Sequence, residues 1–279
     1  MGSIVDPNEG KIDTRRGEAD ITIHIRISPP MPSIPIDVLQ EILEHVDKND
    51  LATLCRVNKI FCSYSQDVLY RQIEYETPDV IQTLAQSTDL ARRVRFFRAW
   101  NNYQGLATAL RNMSSLRSLD LERIDDTSIL DGCTFKLDSF ETNLPNTESF
   151  QKFLNSQQSL TKLTIWGDHK PLTPFDEGCL PNLTYIRAMP CWLSILIPGR
   201  PVREVCVISH VNIDSIDLSF FTLSTNPIQK LRINYDILYP NLYPNPVSLL
   251  VSIFPSLVHL EMVTWDATYA VRVPLCLSI

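Results

Sequence analysis

One short pattern recurs along this chain and limits what it can fold into. Apolar-x-x-apolar-x-apolar appears at Ala91/Val94/Phe96, Leu116/Leu119/Leu121, Leu137/Phe140/Thr142 and Leu160/Leu163/Ile165. It returns at Leu183/Ile186/Ala188, Val202/Val205/Val207, Ile228/Leu231/Ile233 and Leu257/Leu260/Met262. Successive units begin 25, 21, 23, 23, 19, 26 and 29 residues apart. A period of this length marks stacked units, none of which buries its apolar face alone. Helical stretches at 79–85, 106–111, 147–154 and 247–254 lie between the short strands. A strand and a helix per unit predict an α/β fold: a curved βα solenoid with a parallel sheet along its concave face.

The spacing resembles that of leucine-rich repeats, which run 20–29 residues. The resemblance is degenerate. Such repeats place Asn or Cys three residues after the third apolar position, and here that position holds Ala99, Ile124, Pro145, Asp168, Cys191, His210, Asp236 and Trp265. Only Cys191 conforms. At the far end Val271, Val273, Leu275, Leu277 and Ile279 alternate as a strand with no polar cap after it. The expectation is either a chain truncated at residue 279 or a last strand that pairs with something.

Bulk composition narrows the function. With 279 residues, 44% of them hydrophobic, the chain has material for a large core. A net charge of -7 and a pI near 5.3 argue against nucleic acid or an anionic membrane as partner, since both are held by clustered Lys and Arg. The seven cysteines form no CxxC pair and have no His at a zinc-ligand interval, so they read as reduced thiols of a cytoplasmic or nuclear protein, with no metal and no cofactor. No signal peptide is evident, and the longest apolar run, 191–198, is too short to span a bilayer. GxSxG, HExxH, GxxxxGK[ST] and GxGxxG are all absent. The chain therefore reads as a non-enzyme.

Ahead of the repeats lie two other regions. Residues 1–32 carry mixed charges, an Ile21/Ile23/Ile25/Ile27 alternation, and Pro29, Pro30 and Pro32, which together read as a mostly flexible segment. Residues 33–74 read as three short helices. Ser33 or Asp37 is placed to cap the first, whose stripe is Val38, Leu39, Ile42, Leu43 and Val46. Asn49 and Asp50 open the second, with Leu51, Leu54 and Val57, and the third runs from Phe61 to Ile73. Some forty residues supply a core worth only about 3–5 kcal/mol, so such a block needs a neighbour.

The runs IPIDVLQEILEHV, DLATLCRVNKIF and DVLYRQI, in that order over residues 34–73, resemble the F-box motif. Ile34, Phe61 and Tyr70 stand where the motif has Leu, Trp and Trp, all exchanges among large apolar groups. The resemblance, closest to the F-box families of fungi, implies an SCF-type cullin-RING ubiquitin ligase. The block would bind the adaptor subunit and, through it, cullin, while the repeats at 75–279 hold a protein substrate. By position it assigns the adaptor contact to Ile34, Pro35, Leu39, Ile42, Leu43, Leu51, Leu54 and Val57. The rival reading is a leucine-rich-repeat scaffold that binds proteins without any ligase.

On the concave face, position five of each unit gives Arg95, Asp120, Glu141, Thr164, Arg187, Cys206, Arg232 and Glu261. Position seven gives Phe97, Glu122, Asn143, Trp166, Met189, Ile208, Asn234 and Val263. Aromatic groups beside arginine are the composition of binding hot spots. The candidate substrate residues are therefore Arg95, Trp166, Tyr185, Arg187, Met189 and Arg232. ARRVRFFR, with Arg92, Arg93, Arg95 and Arg98, is the one basic cluster and is suited to an acidic or phosphorylated partner.

Overall fold

The computed structural model describes residues 35–74, 76–167, 175–176, 178–209, 217–235, 253–264 and 270–273. The segment read as flexible, 1–32, lies outside them, as do Ser33 and Ile34. Three helices open the described chain. α1 (Ile36–Glu44) starts after Pro35, which occupies the N-cap without a side-chain bond; Asp37 lies inside the first turn. α2 (Lys48–Leu54) is capped by Asp47, whose carboxylate accepts from the backbone N–H of Asn49 and Asp50 at 2.9 and 3.0 Å. α3 (Lys59–Arg71) is capped in the same way by Asn58. The third helix stops two residues short of the expected Ile73. Gln72 turns to extended backbone (φ -133°, ψ 115°), and Gln72–Ile73 form β1, the first strand of the sheet.

Beyond β1 the chain alternates as the period predicts. α4 (Pro78–Gln86) and α5 (Thr88–Ala91) lead to β2 (Phe96–Ala99), and α6 (Leu106–Asn112) to β3 (Ser118–Leu121) and β4 (Ser139–Thr142). α7 (Glu148–Ser156) precedes β5 (Lys162–Ile165) and β6 (Tyr185–Ala188), and α8 (Pro190–Leu196) precedes β7 (Glu204–Ser209). β8 (Lys230–Tyr235), β9 (His259–Thr264) and β10 (Ala270–Val273) complete the order. Among the described residues ten strands lie side by side in sequence order. β1 to β9 are parallel, and β10 folds back antiparallel on β9. The alternating end of the chain therefore pairs within the sheet, over the part described.

The register corrects one unit. Phe97 pairs with Leu119 and Ala99 with Leu121, so the first repeat is Val94/Phe97/Ala99, three residues later than Ala91/Val94/Phe96. Those three side chains are fully buried, whereas Ala91 closes α5 and Phe96 is half-buried. ARRVRFFRA fits the pattern in both frames; the helix before the strand decides between them.

One side of the sheet carries the core. Phe97, Leu119, Phe140, Leu163, Ile186, Val205, Leu231 and Leu260 form one row across eight strands, each buried beneath the helices. Aromatic rings fill the middle: Phe140 meets Phe153 edge-on at 5.5 Å, and Phe150 meets Trp192 at 6.2 Å. Polar side chains tie the turns together where helices lead into strands. Asn112 donates to the carbonyls of Leu84 and Ala85, Gln157 bonds the backbone of Leu137 and Phe135, and buried Arg200 donates to the carbonyls of Cys179, Ile195 and Pro198. Each joins one turn of the solenoid to the previous one or closes its own, which satisfies carbonyls that burial would otherwise orphan.

Candidate functional site

Two surfaces stand out, one on the helices and one on the sheet. The helical block has its own small core of Leu39, Leu43 and Leu51, lined by Val46, Leu54, Phe61, Tyr64, Val68 and Leu69. Three of the eight residues assigned to an adaptor contact thus face inward, and Leu54 is half-buried beside them. Pro35, Ile42 and Val57 are exposed, and Ile34 is outside the described residues. The apolar arc of α1 is wider than its core requires. A helix turns about 100° per residue, so Val38 and Ile42 lie one step round from Leu39 and Leu43 and stay uncovered. Ile36, Val57 and Ile60 extend the exposed apolar set. Ile36 and Ile60 were not among the expected contacts, and Val38 was read only as part of the helix stripe; only the depth of the small core separates these residues from Leu39 and Leu43.

The block is fastened to the solenoid by an arginine. Arg93, on the turn after α5, pairs with Asp67 of α3, donates to the carbonyl of Ser63 at 3.0 Å, and reaches Asp89 at 3.3 Å. The ARRVRFFR cluster is therefore largely committed. Arg93 fastens the block, Arg98 pairs with Asp120, and Arg95 donates to the carbonyl of Ser115 at 2.8 Å; Arg92 is exposed.

The open face of the sheet is the second surface. Its central row reads Arg98, Asp120, Glu141, Thr164, Arg187, Cys206, Arg232, Glu261. Arg95 does not belong to it. The frame correction moves Arg95 to the loop ahead of β2 and puts Arg98 in its place. Trp166 donates its indole N–H to Glu141 at 2.7 Å, and the Arg187 guanidinium lies over the Trp166 ring at 4.0 Å from its centroid. Tyr185, two residues before Arg187 on β6, is half-buried, and burial holds its phenol above the usual range. Met189 caps α8 and is also half-buried. Arg232 meets the Asn234 side-chain oxygen at 3.1 Å and Glu261 at 3.6 Å. The structure thus brings Trp166 and Arg187 together, with Tyr185 next to Arg187 along β6 and Arg232 two strands away.

At the other end of this face Asp120, Glu122 and Glu141 bring carboxylate oxygens within 4.8 Å of one another. Burial, with help from the carboxylates of Glu141 and Glu122, raises Asp120 to about 6, although the hydrogen bond from Arg98 pulls the other way. All three residues occur in the position-five and position-seven rows, so strand register was the signal that located the cluster.

The helical geometry agrees with a family comparison. Residues 31–72 match the F-box domain. No curated protein matches the chain. Among solved structures, an internalin (inlF) from Listeria monocytogenes is similar at 11% identity and a TM-score of 0.29, over 84% of this chain and 90% of its own. The F-box match thus lies at 31–72, ahead of a sheet whose first nine strands run parallel. None of its described helices is long and apolar enough to cross a membrane.

Proposed function

We propose that this chain is the substrate-recognition subunit of an SCF-type E3 ubiquitin ligase, with the F-box on the adaptor and the open sheet face on a protein target. F-box domains generally bind the adaptor, and one observation supports that role here: half of the apolar arc of α1 is left uncovered beside a core that is already closed. Large apolar patches on a folded surface mark partner sites. Burying Val38, Ile42, Val57 and Ile60 in a partner contributes about 1.5–3 kcal/mol each before the costs of association. The chain would be divided at 33–74 for the F-box and 75–279 for the solenoid, with β1 carrying the sheet across the joint.

In this role the protein performs no chemistry. It holds a target lysine near the ubiquitin-carrying enzyme, which raises their effective concentration, and the reaction belongs to other subunits. The test is co-purification of the tagged full chain with adaptor and cullin. Val38→Asp with Ile42→Asp should abolish recovery of both while circular dichroism stays unchanged. A wild-type chain that recovers no adaptor sinks the reading and leaves the leucine-rich-repeat scaffold.

A further inference from the structure

The open face of the sheet is electrically two-ended. On β3, just after it, and on β4 three carboxylates, Asp120, Glu122 and Glu141, lie within 4.8 Å of one another, and Arg98 forms an ion pair with Asp120. Two buried acceptors at this end, Asp120 Oδ1 and Asn143 Oδ1, have no hydrogen-bond partner among the described residues. On β6 the imbalance is reversed. No described carboxylate forms an ion pair with Arg187, and its buried Nε donor is also unpartnered. Its stacking on Trp166, itself tied to Glu141, holds the guanidinium in place. An unmet buried acceptor or donor costs free energy that a suitable partner recovers.

We propose that this face binds an extended, bipolar segment of a protein partner, with an Asp or Glu on Arg187 and a Lys or Arg on the Asp120–Glu122–Glu141 cluster. The inference rests on the open face being the target-binding surface. Neighbouring strands lie about 4.8 Å apart, so the backbone at Arg187 on β6 is roughly 10 Å from that at Glu141 on β4 and roughly 14 Å from that at Asp120 on β3, while Trp166 bridges the Arg187 and Glu141 side chains across the gap. An extended segment crossing the strands at about 3.3 Å per residue covers this in about three or four residues. The acidic group is a carboxylate rather than a phosphate for an electrostatic reason. Arg187 carries a single charge and the next cation along the row, Arg232, is already paired with Glu261, so a doubly charged group would keep one charge uncompensated near Glu141 and Glu204.

The test is an array of ten-residue peptides, degenerate except for one fixed Glu and one fixed Lys one to six positions apart, probed with the tagged full chain. Signal should peak several-fold at separations of three and four. Arg187→Glu should erase that peak and give one on a companion array that carries a second Lys in place of the fixed Glu, and Arg187→Lys should keep the acidic preference at lower intensity. A flat array, a peak that Arg187→Glu leaves in place, or stronger signal with phosphoserine in place of Glu overturns the proposal. Adaptor recovery is measured on the same preparations. Adaptor binding with a flat array removes this proposal and spares the ligase reading; selectivity without adaptor does the reverse.

Discussion

The F-box and the solenoid are built from the same residue types and end in opposite states. In the solenoid nearly every leucine, isoleucine and phenylalanine of the repeat rows is covered, because each unit lies between two others that offer it an apolar face. In α1 to α3 of the F-box the buried apolar side chains are Leu39, Leu43 and Leu51, while Val38, Ile42, Val57 and Ile60 are 48%, 49%, 59% and 61% exposed. Stacking gives the solenoid its own neighbours. Three short helices have too few, and what they cannot cover remains as surface for another chain.

The sharpest way to break this contrast is from the inside of the solenoid. Phe140 touches Phe150 and Phe153 beneath the middle of the sheet, so Phe140→Ala removes an aromatic from a site with little room to collapse. We expect a loss of about 3–5 kcal/mol in urea unfolding, with β3 to β6 losing protection together. Leu43→Ala should cost less, about 2–3 kcal/mol, because the small core can relax. Its effect should be local: hydrogen exchange should rise across α1–α3 while β3 to β6 stay protected. Equal exchange in both regions would show that the two cores unfold as one.

Arg93→Ala probes the joint between them. The side chain holds Asp67, Asp89 and the Ser63 carbonyl and is mostly shielded from water, so its removal should cost about 1–2 kcal/mol. Protease cleavage near residue 75 should accelerate, with both cores intact. Unchanged cleavage would mean that β1, which extends the sheet from the end of α3, is joint enough.

Much of the fold was legible in the sequence because a repeat amplifies a weak signal. A single apolar triad means little, but eight in order fixed the strand order and seven of the eight frames. The miss at ARRVRFFRA came from a segment with apolar groups in two frames; α5 ending at Ala91 resolves it. That slip also named Arg95 in place of Arg98. The F-box was legible as a motif, but not which of its apolar residues point outward. Leu39 and Ile42 are alike in type and only their neighbours separate them: Leu39 packs in the small core with Leu43 and Leu51, and Ile42 does not. Pairings such as Trp166 with Glu141, or Arg93 with Asp67, need the third dimension, since 25 and 26 residues separate the partners.

The last effect concerns the acidic end of the open face, where burial and function meet. Folding raises Asp120 from 3.8 to about 6, so between these values the folded chain keeps a proton that the unfolded chain has released. Stability from this group is full below pH 4 and falls as the pH climbs through 6, the reverse of an ordinary paired carboxylate. The value of about 6 already contains the offset from Arg98, and a rise of about two pH units at roughly 1.4 kcal/mol each makes the loss about 2 kcal/mol. Asp120→Asn keeps the shape and removes the titration. Urea unfolding should therefore show the wild type losing about 2 kcal/mol relative to the variant between pH 4 and pH 7. An equal difference would mean that Arg98 holds Asp120 ionised throughout. Unlike the buried repeat rows and the closed F-box core, this cluster carries charge that folding alone does not satisfy, and that charge grows over the pH range in which a basic segment would be bound.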